Sequence, residues 1–301
     1  MEREKNGVLW AISAYVIWGF LPIYWKALDH VASVEILVSR IVWAFILTLL
    51  LIILMKNGHL LKQDMKNLWK SQRDFWSLFA ASVIISMNWF VYIWAVNAGF
   101  LIETSLGYYI NPLISVLLGI FFLKEKLSRA QQIAFLLALI GVLILTFSYG
   151  RFPWLSFTLA ITFAVYGLLK KQIKLDALRG MTIETLFILP FALGYFVWLF
   201  MNDQAVFLHV GIKTDILLIL TGAATAIPLV FFAKGVQRLP LYLAGFLQYI
   251  APTLMLFLGV IIYKESFGKI DLLSFSFIWV ALILFAVSKA VEVLRLKKSR
   301  H

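Results

Sequence analysis

The sequence predicts an all-α membrane protein: ten transmembrane helices arranged as two inverted five-helix repeats, with both termini cytoplasmic. Three observations carry that prediction. Hydrophobic residues make up 62% of the chain and charged residues 14%, too few polar side chains to cover a soluble globule, whose apolar share is about 45–50%. One seventeen-residue segment occurs twice, as YINPLISVLLGIFFLKE from Tyr109 to Glu125 and as YIAPTLMLFLGVIIYKE from Tyr249 to Glu265. Lysine and arginine, finally, are shared unequally between alternate loops.

A hydrocarbon core about 30 Å thick needs roughly 20 apolar residues per helix. Ten segments meet or approach that length, near residues 7–27, 34–55, 75–95, 101–123, 129–148, 152–169, 180–200, 214–233, 239–262 and 270–288. The first extends through a full span with no small-residue cleavage site, so it reads as a span and not as a signal peptide. With the N-terminus inside, 21 lysines and arginines fall in cytoplasmic segments. Only 5 (Lys26, Arg151, Lys213, Lys264 and Lys269) fall outside, and Arg40 lies within a span. The positive-inside rule then places both ends in the cytoplasm. The formal net charge of +12 is accordingly a topology signal spread over several loops, and no nucleic-acid partner is expected.

The two copies of the repeated segment align without a gap and share seven of seventeen residues, among them Pro112/Pro252, Gly119/Gly259 and the Lys-Glu ending. Five spans per half put the first ending inside and the second outside. The halves, residues 1–148 and 149–301, are therefore inverted. Halves related by a pseudo-two-fold axis in the membrane plane give one fold equivalent inward-open and outward-open states, which points to a carrier with a central site. A shift of 149 residues also superposes Glu35 on Glu184, each near the start of the second span of its half.

Charges inside spans are costly and so are candidates for function. Glu35 and Arg40 in span two, Glu103 in span four and Glu184 in span seven are candidates for coupling or charge pairing. Glu35 and Arg40 are five residues apart, about 140° around a helix, so each needs a partner elsewhere. Capping of helix N-termini is the structural alternative for the two glutamates at span starts. In span three Asn88, Trp89 and Tyr92 lie deeper than an interfacial belt. In span four Glu103, Gly107 and Asn111 share an arc of about 80°. Tyr108 and Asn111 there, with Gln248 and Tyr249 in span nine, complete a substrate-binding set suited to a small amphipathic or aromatic organic molecule. Pro112 and Pro252 lack the N–H that the carbonyls of Tyr108 and Gln248 would receive, so both are candidate helix breaks.

Cysteine is absent, and the four histidines (His30, His59, His209 and His301) fall in loops or the tail. No metal and no cofactor is expected. No Walker loop, HExxH or GxSxG is present, so neither ATP-driven pumping nor hydrolysis has visible machinery. The expected partners are a small-molecule substrate and the lipid bilayer, and the expected class is a carrier and not an enzyme. A membrane-embedded lipid-acting enzyme or scramblase is the alternative that buried carboxylates and aromatics leave open.

Five stretches carry a family resemblance: GVLWAISAYVIWGFLPIYWK (Gly7 to Lys26), EILVSRIVW (Glu35 to Trp43), NWFVYIWAVNAGFLIETSLGYYINPL (Asn88 to Leu113), IETLFILP (Ile183 to Pro190) and FLQYIAPTLM (Phe246 to Met255). In these the chain resembles the EamA branch of the drug/metabolite transporter superfamily, and within it the RarD-like subgroup. The resemblance covers essentially the whole chain. It implies a multi-pass carrier of the bacterial inner membrane that moves small organic metabolites or drugs, outward or by exchange. The chain departs from the subgroup at Ser39, which precedes Arg40 where a histidine is expected.

Overall fold

In the computed structural model, the described residues are 2–298 apart from 99, 149, 151, 263, 265 and 266, and no strand occurs among them. The helices are α1 (Glu2–Lys26), α2 (Ser33–Leu54), α3 (Gly58–Lys70), α4 (Gln72–Asn97), α5 (Leu101–Leu123), α6 (Arg129–Ser148), α7 (Trp154–Gln172), α8 (Ala177–Met201), α9 (Ile212–Val236), α10 (Leu241–Gln248), α11 (Ile250–Phe257) and α12 (Lys269–Lys298). A π-helical turn, Leu258–Ile262, follows α11. Backbone that meets lipid must satisfy its N–H and C=O groups within its own segment, which is why so apolar a chain folds as helices.

Among the described residues nine stretches are long and apolar enough to cross a membrane: α1, α2, α4, α5, α6, α8, α9, the run from α10 through the π-helical turn, and α12. The predicted sixth span, 152–169, is the helix α7, which stands outside those nine. It ends on Lys170 and Lys171, and it packs against α4, α5, α9 and α10, so protein surrounds much of it.

The short helix α3 was not foreseen. It is too brief for a span, but its apolar residues recur at helical spacing, Leu68 is buried, and Asp64 pairs with Arg179 at the start of α8.

The packing joins α2 to α8, α6 to α12 and α5 to α10. It also sets α4 and α5 on α7, and α9 and α11 on α1. Small residues permit the tightest crossings. A Cβ on Gly222 of α9 would come within 2.4 Å of the Trp43 carbonyl carbon of α2, so any side chain there drives the two helices apart.

The repeated segment takes two forms. Helix α5 runs unbroken through Pro112, whereas its counterpart is interrupted at Tyr249, between α10 and α11. Pro252 has no N–H for the Gln248 carbonyl, and the chain breaks beside that lost bond. The two ends nevertheless agree. Lys124 and Lys264 have φ of 55° and 56°, the left-handed conformation that stops a helix.

After Lys124 the Glu125 N–H returns to the Gly119 carbonyl at 3.1 Å. The Glu125 carboxylate then accepts the N–H groups of Leu241 (2.7 Å) and Tyr242 (2.9 Å), the first turn of α10. A Cβ on Gly119 would stand 2.5 Å from Glu125 Oε2. In the first copy, then, lysine turns the chain, glycine leaves room, and glutamate caps a helix of the other half. Glu265 lies outside the described residues.

Candidate functional site

A cavity of about 990 Å³ opens among α1, α2, α4, α5, α7, α9 and the broken α10–α11 run, with the ends of α6 and α12 at its rim. That volume suits a small organic molecule. Aromatic side chains line much of its wall, among them Trp18 and Trp25 from α1, Trp89 and Tyr92 from α4, Tyr108 from α5 and Phe163 from α7. The Tyr92 and Tyr108 rings meet edge to face, 6.0 Å between centroids. Two further tyrosines hold the broken helix in place. Tyr15 of α1 donates to the Ala244 carbonyl at 3.0 Å, and Tyr109 of α5 donates to the Pro252 carbonyl at 3.0 Å.

The amides expected in a binding set line this cavity, and two of them also fasten its wall. Asn88 Nδ2 donates to the Leu159 carbonyl (2.9 Å) and to Thr162 Oγ1 (2.8 Å). Asn111 Nδ2 donates to the Ala160 carbonyl at 2.9 Å. Both reach across to α7, so α4 and α5 are tied to one turn of that helix by interhelical hydrogen bonds. Gln248 borders the cavity and makes no side-chain hydrogen bond among the described residues. Pro252 borders it as well. Pro112 does not, since it lies where α5 crosses Gly245 of α10, its carbonyl 2.9 Å from where a Gly245 Cβ would be. Tyr249 is buried behind the wall with its hydroxyl unpaired.

Arg40 reaches the cavity from α2. Its Nε donates to Thr225 Oγ1 of α9 at 2.9 Å, and its guanidinium carbon lies 4.9 Å from the Trp25 ring centroid and 4.8 Å from that of Trp89. The preceding Ser39 is fully buried, and its hydroxyl has no partner.

The other charges sit elsewhere. Glu35 is buried outside the cavity, where its carboxylate accepts the N–H groups of Val206 (2.9 and 3.0 Å) and Phe207 (2.9 Å) in the α8–α9 loop. Glu184 pairs with Lys170 of α7 at 2.5 Å and accepts the Tyr166 hydroxyl at 3.2 Å. It lines a narrow cleft that shares Trp89 and Leu229 with the main cavity. The side chain of Glu103 lies outside the described residues. Asp271 also borders the cavity; it lies in the first turn of α12, where the sequence alone does not separate it from an ordinary flanking charge. Thr225 carries no signal in the sequence, being one of three threonines in an apolar helix. Among the described residues no cluster of three or more histidine, aspartate or glutamate side chains could hold a metal ion.

The sequence profile of the EamA-like transporter family matches residues 5–147 and, separately, residues 153–287. The chain belongs to that family. Its similar relatives include the uncharacterized transporter YojE of Bacillus subtilis (strain 168), 46% identical with 95% of each chain covered. They also include Protein RarD of Escherichia coli (strain K12), 39% identical with 95% of each covered. The chloramphenicol-sensitive protein RarD of Pseudomonas aeruginosa is 30% identical, with 94% of each covered. A solved crystal structure at 17% identity superposes with a TM-score of 0.70 over 93% of this chain and 97% of its own, a likeness of fold. An EamA-like transporter with these apolar helices is a multi-pass membrane protein.

Proposed function

We propose that this EamA-like protein is a secondary carrier of small organic metabolites or drugs. It works by alternating access around the aromatic cavity, as an exporter or exchanger in the bacterial inner membrane with both termini cytoplasmic. The observation that carries this reading is the cavity itself, about 990 Å³ and lined from both halves of the chain. Asn88, Trp89, Tyr92, Tyr108, Asn111 and Gln248 are its substrate contacts, with Tyr249 behind them. Glu184 and Glu103 are the candidates for coupling.

Several features favour two inverted halves of five spans each, with α7 as the sixth span. The family profile matches once in each half. The packing is reciprocal: α4 and α5 lie on α7 as α9 and α11 lie on α1, while α2–α8, α5–α10 and α6–α12 pair across the centre. The cavity takes residues 104–111 from one copy of the α5-type helix and residues 248–260 from the other. Those are the early part of one and the late part of its counterpart, as expected if the helices run in opposite directions and the cavity opens at one end only. With the orientation given by the charge count, that end is the outside.

The closed end then lies where Glu125 caps α10, where Ala11 meets Gly235, and where Gly7 meets Leu239. Opening inward would separate these contacts and form their mirror images at the other end.

Proteoliposomes test the proposal. Counterflow of an unmodified solute, absent from protein-free vesicles, is the expected result. Chemical conversion of a lipid or solute without counterflow would replace the carrier with an enzyme. Glu103→Gln is expected to slow counterflow while leaving a folded protein, and wild-type rates in that variant would remove Glu103 from coupling.

A further inference from the structure

Two described side chains bring charge to the cavity, and they differ in how that charge is met. Asp271 Oδ2 accepts the Gly268 N–H at 2.9 Å at the start of its own helix. Arg40 has one hydrogen bond to a neutral hydroxyl, Thr225 Oγ1, and two indole faces near its guanidinium carbon. Among the described residues no carboxylate pairs with it. A guanidinium carries five N–H donors in a planar fork, so the Thr225 bond leaves four. The indole faces favour the cation but offer no lone pair to those donors. An unmet charge inside a span is costly, and here its open side is the cavity.

We propose that Arg40 is an anion-binding site, and that the molecule carried is an organic anion whose carboxylate is taken by the guanidinium while its aromatic or apolar body rests on the surrounding rings. The proposal rests on the transport reading and names its substrate class. Arginine suits the role because its fork matches both oxygens of a carboxylate. Thr225 and the two indoles fix the guanidinium before the ligand arrives, so little side-chain freedom is lost on binding. A cationic ligand would be opposed. At about 6 Å and an effective dielectric of about 20, the repulsion weakens binding roughly a hundredfold.

The test uses the purified full-length protein in detergent and three ligands with one ring: indole-3-acetate, indole-3-acetamide and tryptamine, respectively negative, neutral and positive. Ligand that binds the folded state raises its melting temperature, and the midpoint of that rise is read for each. The expected result is a midpoint about 10- to 100-fold lower for the acetate than for the amide, as for hydrogen bonds to a charged group, with the amine weakest. In Arg40→Gln the acetate and amide converge, and Arg40→Lys keeps part of the difference.

Equal binding of acetate and amide, tightest binding of the amine, or an acetate preference that survives Arg40→Gln would each overturn the proposal. Each would still leave a cavity that takes an aromatic solute, so the transport reading would stand. Failure of all three to bind also overturns the proposal, and counterflow with other solutes then decides the transport reading by itself. The comparison of ligands on the unmutated protein holds even if Arg40→Gln does not fold.

Discussion

Lys170 and Glu184 form the most deeply buried ion pair among the described residues, at 2.5 Å, with side-chain exposures of 2% and 3%. Lys170→Met would leave the Glu184 carboxylate with the Tyr166 hydroxyl at 3.2 Å as its remaining described partner. Removing one member of a buried pair costs about 3–5 kcal/mol, because the other charge stays buried without compensation. At roughly 2–3 °C per kcal/mol for a chain of this size, the melting temperature should fall by about 10 °C. Glu184→Leu should cost a similar amount. The double variant Lys170→Met/Glu184→Leu removes both charges and should recover most of the loss, since a buried pair is often no more stabilising than apolar residues of the same volume. Melting followed by size-exclusion chromatography in detergent reads all four proteins. If either single variant melts like the wild type, the reasoning about a dry, mutually dependent pair is refuted. Counterflow adds the functional half of the prediction: if Glu184 takes part in coupling, the double variant is folded and slow.

Three further outcomes are expected. Gly119→Ala would place a Cβ against the Glu125 carboxylate and loosen the cap on α10, at about 1–2 kcal/mol. Faster reaction of a thiol reagent with a cysteine introduced at the closed end, Ala11→Cys, would report it, and unchanged labelling would count against the cap as a closure. Glu35→Gln would replace charge-assisted bonds to Val206 and Phe207 with neutral ones and cost about 1–2 kcal/mol, read as a lower melting temperature. The ligand midpoint should not change, because Glu35 lies outside the cavity, and a changed midpoint would contradict that placement. Asn111→Leu would remove the bond from α5 to the Ala160 carbonyl, which keeps its partner within α7, and cost about 0.5–1.5 kcal/mol. A melting temperature equal to that of the wild type would show that the bond to α7 contributes little.

What the sequence made legible was set by length and period. An apolar run of about twenty residues marks its helix whatever its neighbours do, so most helices lie where such runs lie. Helix α3 was missed because a search by span length passes over thirteen residues with a mixed surface. The two prolines show the limit of local reading: Pro112 and Pro252 occupy matching places, yet α5 continues and α10–α11 breaks, because the neighbours around each copy differ. Partners far apart in the chain were equally hidden. Thr225 is 185 residues from Arg40, and Glu35 meets a loop 171 residues away. Lys170 read as a flanking charge because it lies one turn from a helix end, although the fold buries it. The repeated Gly and Lys-Glu pattern was visible as a repeat, but its purpose, a cap that one half places on the other, required the packing of α5 on α10.

The proposed alternating access is tested most directly by a matched pair of single cysteines, which the absence of native cysteine makes clean. Ser115 and Met255 occupy the same place in the two copies of the repeat. Met255 lines the cavity, while Ser115 is buried beside Gly245, 5% exposed. The account predicts that a membrane-impermeant thiol reagent labels Met255→Cys from outside the cell and Ser115→Cys only from the cytoplasmic side, each protected by a transported solute. Labelling of both positions from one side, or of Ser115→Cys from neither, would contradict it.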